Sequence, residues 1–198
     1  MKKYFALLTL TGCFYLPALT QTSYTDSLKT FIKDYIDKHE VVKGDDKKQM
    51  HFFDVDKKYR VVAQFEKKEN GQWFQMSTSG KMKQIYRVYG VISFKIGDTL
   101  LRLNIYQSQN LMQSDQYKNY LFLPFTDATT GKETYDSGRY IDLTSADIQN
   151  NQVTIDFNKA YNPYCAYVTG VYNCPIPPGE NNLAVAIKAG EKKYGEHK

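Results

Sequence analysis

The side chains best suited to specific chemistry in this 198-residue sequence are its arginines, because the chain has 22 lysines but only four arginines. A chain so rich in lysine uses lysine for ordinary surface charge. A retained arginine therefore favours bidentate pairing with a carboxylate or stacking on an aromatic ring. We predict that Arg139, in the segment SGRYID, lies at the functional site, paired with Asp156 and close to Asn158 and Asn162. A purely structural ion pair of Arg139 is the alternative.

Further polar side chains that could converge on a ligand lie in the same part of the chain. A concave site needs only a few such groups. The candidate ligand-binding residues are Arg139, Asp156, Asn158, Tyr161, Asn162, Asp127, Glu180 and Asn181. Each also has a structural interpretation; Asp127, for example, opens the turn DATTG and can close an Asx turn there. The expected ligand is small and polar or anionic, and no residue is assigned a catalytic role.

Motifs of the familiar hydrolases and cofactor-binding enzymes are missing from the sequence. The histidines His39, His51 and His197 form no HExxH or paired-histidine spacing, and no G-x-S-x-G segment occurs. The sequence also has no glycine-rich phosphate loop and no dinucleotide-binding fingerprint. We therefore predict no metal site and no cofactor, and the sequence argues against a zinc or serine hydrolase of a familiar kind.

Two cysteines, Cys165 and Cys174, lie in the segment AYNPYCAYVTGVYNCPIPPGEN, which also holds four of the six prolines. In an exported chain such a pair favours a disulfide. Free buried thiols, or a reactive or metal-binding pair, are the alternatives, although eight intervening residues do not match a zinc ribbon. Because proline fixes φ and removes a backbone donor, we predict a stiff loop that either carries a site or covers the core.

The first twenty residues predict export. Lys2 and Lys3 precede a mostly apolar run over residues 4–19, which is the pattern of a secretory signal peptide and is too short for a stable membrane span. We expect removal of residues 1–20 and a periplasmic or secreted protein. The segment LTGC, ending at Cys13, also resembles a lipobox, so a lipoprotein anchored through Cys13 is the alternative.

The remaining residues, 21–198, are predicted to form a single β-rich domain. Apolar residues at helical spacing predict an amphipathic helix over about residues 25–39. From Tyr59 onward, apolar and polar residues alternate in seven or more short segments separated by turns. We therefore predict a mainly β fold, an antiparallel rolled sheet or barrel-like domain with one N-terminal helix; a sandwich also fits this pattern.

The distribution of charge argues against nucleic-acid binding. The formal net charge is +5, but the lysines are mixed with acidic residues in segments such as KGDDKK and EKKEN. Proteins that bind nucleic acid gather their basic residues on one face or along one stretch, and the sequence has no such stretch. The charged residues therefore predict a solvated surface.

Six segments spread over about residues 52–192 carry a family resemblance. They are FFDVDKKYRVVAQF, YRVYGVISFKIGD, YLFLPFTDATTGKETYDSGRYIDL, DFNKAYNPYCAY, CPIPPGENNL and IKAGEK. In this order they resemble the bacterial family catalogued as domain of unknown function 1684, a group of uncharacterised exported or envelope proteins. Asp54 departs from the family, which more often has proline in this turn. The resemblance implies a shared fold and brings no activity.

Three functions are compatible with these observations. The first is a small-ligand-binding β-barrel-like module of the cell envelope. The second is an enzyme, a hydrolase or lyase that works through carboxylates and an arginine, which would require two carboxylates with separated pKa values in one cleft. The third is a structural envelope protein with neither feature. The convergence of GRYID, DFN and YNPYC on one cavity would favour one of the first two.

Overall fold

The structure, a computed structural model, describes residues 23–195. The predicted signal peptide and Cys13 lie outside these residues. Helix α1 spans Tyr24–Lys38, within one residue of the predicted helix at each end. The Ser23 side chain accepts a hydrogen bond from the Asp26 amide at 3.1 Å and so caps the first turn. Among the described residues no helix is both long and apolar enough to cross a bilayer.

Eight strands form one antiparallel sheet, as the alternating pattern predicts. They are β1 Arg60–Lys67, β2 Trp73–Met76, β3 Gln84–Ile96, β4 Thr99–Ser108, β5 Tyr120–Phe125, β6 Arg139–Thr144, β7 Ile148–Gln149 and β8 Gln152–Asp156. Their order across the sheet is β6-β5-β4-β3-β1-β8-β7, with β2 paired to β3. The long hairpin between β3 and β4 turns at Gly97, whose φ of 58° favours glycine. The predicted antiparallel fold is confirmed.

A closed barrel, one form that the sequence allowed, does not occur within the described residues, because β6 and β7 remain at opposite ends of the strand order. The outer edge of β6 is instead covered by the chain after β8, residues 157–195, which we call the C-terminal segment. Tyr140 and Tyr161 exchange two backbone hydrogen bonds of 2.9 and 3.0 Å across this edge. Covering an edge with a loop satisfies its backbone groups without another strand. The C-terminal segment therefore pairs with the strand edge that a closed barrel would have paired with another strand.

The two faces of the sheet bury different residues. One face carries the main core, with alternate residues of β1 and β8 such as Val61, Ala63 and Ile155 buried there. The opposite face carries a smaller cluster that consists largely of aromatic rings: Met76, Tyr86, Tyr106, Phe122 and Tyr140. Nine of the buried residues in the two clusters are aromatic, and their large rings contribute much of the buried area.

The chain after β8 is irregular and is held by specific contacts. Short 3-10 turns occur at Phe157–Lys159, Tyr164–Ala166 and Gly179–Asn181. Cys165 and Cys174 form the predicted disulfide, with Cα atoms 6.3 Å apart. The Ser79 amide donates to the Cys174 carbonyl at 2.9 Å, which joins this loop to the segment after β2. The C-terminal segment is therefore ordered by cross-links and by backbone pairing with the sheet, with little regular structure of its own.

We expect the Cys165–Cys174 disulfide to be present in the isolated protein. Proteolysis without reduction, after thiols are blocked in denaturant, should give a linked peptide by mass spectrometry. Replacing both cysteines with serine should lower the free energy of unfolding by about 2.7 kcal/mol, because the short closed loop no longer restricts the unfolded chain. Recovery of both cysteines as blocked thiols from unreduced protein would contradict the assignment.

Candidate functional site

Arg139 is fully buried and pairs with Asp127, not with Asp156 as the sequence predicts. Its Nη2 lies 2.8 Å from Asp127 Oδ2, and both side chains are 1% exposed. The guanidinium also donates to three backbone carbonyls, at Ile187 (2.9 Å), Ala189 and Glu191 (3.3 Å). These contacts join β6 to the C-terminal segment. They agree with the alternative interpretation, in which Arg139 forms a purely structural ion pair.

The second carboxylate oxygen of Asp127 also accepts hydrogen bonds. This oxygen, Oδ1, accepts from the Thr129 amide at 2.7 Å, the Thr129 hydroxyl at 2.6 Å and the Ile187 amide at 3.2 Å. The first of these bonds is the predicted Asx turn. Burial lowers the pKa of Arg139, and the neighbouring Asp127 opposes that change. Asp127 and the three carbonyls stabilise the charge through Nη1 and Nη2 of Arg139, whereas its buried Nε has no hydrogen-bond partner among the described residues.

Asp156 and Asn158 lie beneath the first turn of helix α1. Tyr24 donates its phenol to the Asp156 carboxylate at 2.9 Å, and Asn158 Oδ1 accepts from the Asp56 amide at 3.0 Å. We expected these two side chains to face a barrel lumen. They face the helix instead, since Val153 and Ile155, on the other face of β8, fill the core.

The other candidate residues divide between structural contacts and the surface. Asn162 is buried; its amide donates to Glu191 Oε2 at 2.8 Å, and its Nδ2 donates to the Lys192 carbonyl at 2.8 Å. Asn181 is buried and bridges β4 and β5, where it bonds both backbone groups of Asn104 and the carbonyl of Pro124. Glu180 is exposed. Of the eight candidate residues only Tyr161 lines the cleft described next.

A cleft of about 790 Å³ separates helix α1 from β6 and the C-terminal segment. Five of its eleven lining residues carry aromatic rings, and five are charged, with both signs present. The lining residues are Phe31, Asp34, Tyr35, Lys38, His39, Glu40, Ile141, Asp142, Lys159, Tyr161 and Tyr164. The segments GRYID and YNPYC thus meet here, whereas DFN lies beside the cleft and contributes none of its lining. This volume is within the range of small-molecule sites.

Asp142 is the carboxylate at the sheet side of the cleft. Tyr120 and Tyr161 both donate their phenols to its Oδ1, each at 2.7 Å. Burial raises the pKa of Tyr161, and the charges of Tyr120 and Asp142 act in the same direction. Both phenols therefore stay protonated as donors. Together they fix the carboxylate in one orientation at the exposed end of the cluster.

Behind the helix wall of the cleft lies a buried carboxylate, Glu191. Tyr167 donates to its Oε1 at 2.6 Å, while Tyr35 and the Asn162 amide donate to Oε2 at 3.4 and 2.8 Å. Burial raises the pKa of Glu191 to about 7, although these donors and Arg139 oppose the increase. Through its hydrogen bond with Tyr35, which lines the cleft, the Glu191 carboxyl group lies one side chain behind the cleft wall.

His39 closes this cluster at the end of helix α1. Its ring is 95% buried and contacts Tyr167 edge-on, with ring centroids 4.6 Å apart. Nδ1 accepts from the Val42 amide at 2.9 Å, which makes Nε2 the protonated nitrogen. Nε2 has no hydrogen-bond partner among the described residues, and burial lowers the pKa of His39. The imidazole is therefore neutral at pH 7.

Most of the cleft residues were not among the candidates that the sequence suggested. Tyr35 on helix α1 and His39, directly after its last residue, lie four residues apart, and this spacing was a signal that they share one face. Asp142 belongs to the same segment as Arg139, three residues further on. Among the described residues no group of three histidine, cysteine or acidic side chains is placed to hold a metal ion.

Comparison with known proteins places the chain in a family. It belongs to the family described as "Protein of unknown function (DUF1684)", whose model matches residues 46–192. The matched residues include Asp142, Tyr161 and Glu191, whereas helix α1 precedes them. The chain is also similar to an uncharacterized protein of Haloarcula marismortui solved by solution NMR, at 29% identity and a TM-score of 0.64, covering 87% of this chain and 98% of that one. No curated protein matches.

Replacing Arg139 with lysine should lower the free energy of unfolding, with an upper limit of about 3–5 kcal/mol, which is the cost of removing one partner of a buried ion pair outright. Lysine keeps the charge, but its single ammonium cannot bond Asp127 and three separate carbonyls at once. Denaturant unfolding measures the change. Arg102→Lys, at an exposed position on β4, is the matched control and should stay within about 0.5 kcal/mol of the wild type. Equal stability of the two variants would contradict the structural assignment of Arg139.

The raised pKa of Glu191 should make part of the stability pH-dependent. The folded state keeps this proton to about pH 7, whereas the unfolded side chain releases it near pH 4.5. The contribution of Glu191 to stability is therefore present below pH 4.5 and is lost as pH rises to about 7. The full loss amounts to about 3 kcal/mol.

Glu191→Gln tests this dependence, because glutamine keeps the shape of the side chain without the titration. Relative to the wild type, the variant should become more stable as the pH rises from 4.5 to 7.5, as measured by the free energy of unfolding. His39, whose pKa is lowered, has the opposite slope, but its contribution cancels in the difference between the two proteins. Parallel pH profiles of the two proteins would show that Glu191 does not titrate as proposed.

Proposed function

We propose that this protein is an exported module that binds a small ligand in the cleft between helix α1 and β6. The observation that supports this proposal is the combination of a roughly 790 Å³ concave space with aromatic walls and an oriented carboxylate, Asp142. Ligand sites in proteins are mostly apolar concavities with a few polar groups in fixed orientation. The cleft meets both parts of that description.

The walls favour a ligand with a flat or apolar face. Tyr35 and Tyr161 pack against each other with ring centroids 6.0 Å apart, so their positions are set before a ligand arrives. Tyr164 is oriented by its phenol, which donates to Glu40 Oε2 at 3.0 Å. Preformed rings bind a ligand with little loss of conformational entropy. These rings supply area, and the carboxylates Asp142 and Glu40 supply hydrogen-bond acceptors.

The charges in the cleft favour a neutral or cationic ligand over the anionic one that the sequence also allowed. Lys38 is paired with Asp34 at 2.9 Å, and Lys159 lies over the Phe31 ring at 5.2 Å. Among residues 23–195, the side-chain hydrogen bonds that Glu40 and Asp142 accept come from phenols, and neither carboxylate forms an ion pair. We therefore propose a small molecule that presents hydroxyl or ammonium donors to these carboxylates and its apolar face to the tyrosines.

An enzyme that works through carboxylates and an arginine is supported less well. Arg139 is buried, and its contacts are made to Asp127 and to backbone carbonyls, so it does not reach the cleft. The carboxyl suited to proton transfer is Glu191, with its pKa near 7, but it lies behind Tyr35. Ligand binding requires only the groups that line the cleft and is the simpler function for this geometry.

Export is part of the proposal and is supported by the basic and apolar start of the chain. The Cys165–Cys174 disulfide is in keeping with this location, because disulfides persist mainly in oxidising compartments. Cleavage after about twenty residues gives a periplasmic or secreted protein, and lipid attachment at Cys13 remains the alternative. Intact-mass measurement of the native protein distinguishes these N-termini.

Three probes of similar shape test the proposed ligand class by calorimetry: tyramine as a cation, 4-hydroxybenzyl alcohol as a neutral molecule and 4-hydroxyphenylacetate as an anion. We expect binding in the order cation, neutral, anion, because Asp142 and Glu40 repel the anion. Asp142→Asn keeps the acceptor for both phenols and should weaken tyramine binding roughly tenfold, about 1.4 kcal/mol. Asp98→Asn, at the exposed β3–β4 turn, is the matched control and should not change it.

Native mass spectrometry of protein from its own host should in addition show a bound small molecule that Asp142→Asn retains less well. Preferential binding of the anion would refute the proposed ligand class. Absence of any probe binding and of any co-purified molecule would favour the purely structural envelope protein.

A further inference from the structure

A second surface, distant in sequence from the cleft residues of helix α1, exposes large apolar side chains. Met82 and Val171 are 67% and 62% exposed, and Tyr172 and Ile176 are each 37% exposed. We call these four residues, together with Lys81 and Lys83, the loop surface. Exposed apolar side chains are common singly, but a group of them indicates contact with a partner.

Hydrogen bonds bring the two parts of the loop surface together. Asn173 Oδ1 accepts from the Met82 amide at 3.1 Å, and the Ile176 amide donates to the Ser77 carbonyl at 2.8 Å. The disulfide joins the two ends of the 165–174 loop. The turn at 77–83 and the disulfide loop therefore form one continuous surface, and its apolar residues are held in position without a partner.

The charged residues within the two segments that form this surface are all of one sign. Residues 71–97 and 160–179 contain no aspartate or glutamate, although the whole chain has 21 acidic residues. Lys81 and Lys83 are exposed on either side of Met82, and neither forms an ion pair with a described carboxylate. Cations therefore flank the exposed apolar side chains, and neither segment contains an acidic residue. Such a surface is complementary to an apolar phase that has an anionic boundary.

We propose that the loop surface docks on the face of an anionic lipid bilayer. Apolar side chains enter the region between headgroups and acyl chains, tyrosine is favoured at that depth, and lysines contact anionic headgroups. A stable protein interface needs about 800 Å² on each partner, more than four side chains on two turns supply. A bilayer needs no matching shape, so a small protruding group is sufficient.

Docking of this kind is reversible and depends on salt. The loop surface carries only two lysines and four apolar side chains. A membrane-binding element of this size anchors a protein stably only in combination with a second one. Raising the ionic strength screens the lysine contribution. The rigid loop loses little entropy on docking, which is a physical reason for a disulfide and clustered prolines at this place.

Co-sedimentation with large unilamellar vesicles tests the proposal on the full chain. We expect binding to vesicles of phosphatidylcholine with 30% phosphatidylglycerol, weaker binding to phosphatidylcholine alone, and a decrease with added salt. Lys81→Glu combined with Lys83→Glu, and separately Met82→Asp, should each lower the partition coefficient about tenfold or more. All variants share one N-terminus, so any contribution of residues 1–20 is common to them.

Matched controls change the same properties elsewhere. Lys95→Glu with Lys132→Glu gives the same change in net charge, and Leu100→Asp changes an apolar side chain that is 63% exposed. These controls should bind like the wild type. Equal vesicle binding by loop-surface variants and controls would overturn the proposal. Concentration-dependent dimerisation that Met82→Asp abolishes, with no vesicle binding, would overturn it in favour of a second copy of the chain.

Discussion

The buried ion pair between Arg139 and Asp127 is the constraint on which the rest of the structure depends. A guanidinium without access to water must find a partner for its charge and acceptors for its N–H groups. Asp127 supplies the charge, and the C-terminal segment supplies three carbonyl acceptors. The C-terminal segment is therefore held against β6, because releasing it would leave a buried charge without its hydrogen bonds.

The position of Glu191 follows from that attachment. Its carbonyl accepts from Arg139, while its side chain lies on the opposite side of the segment among Tyr35 and Tyr167. Tyr35 belongs to helix α1, so the helix is held over the sheet edge at the distance that opens the cleft. A structural arginine thus determines the geometry of a site that it does not enter.

Phenols replace cations as partners of the carboxylates in this region. Tyr120 and Tyr161 bond Asp142, Tyr24 bonds Asp156, and Tyr164 bonds Glu40. A phenol adds a large packing surface to a hydrogen-bond donor and leaves the negative charge of the carboxylate unbalanced. This is the physical basis for the neutral or cationic ligand that we propose for the cleft.

The sequence by itself determined the helix, the antiparallel strands and the disulfide, because hydrophobic periodicity, turn residues and a pair of cysteines are local signals. It also identified Arg139 as exceptional and indicated GRYID and YNPYC among the segments that could meet at one cavity. Only the tertiary structure decided that Arg139 pairs with Asp127, that Asp156 faces the helix, and that Glu191 belongs to a cluster of phenols. Those outcomes depend on which face of each strand is covered and by what. Neither periodicity nor composition specifies contacts between residues more than a hundred positions apart, such as that of Tyr35 with Glu191.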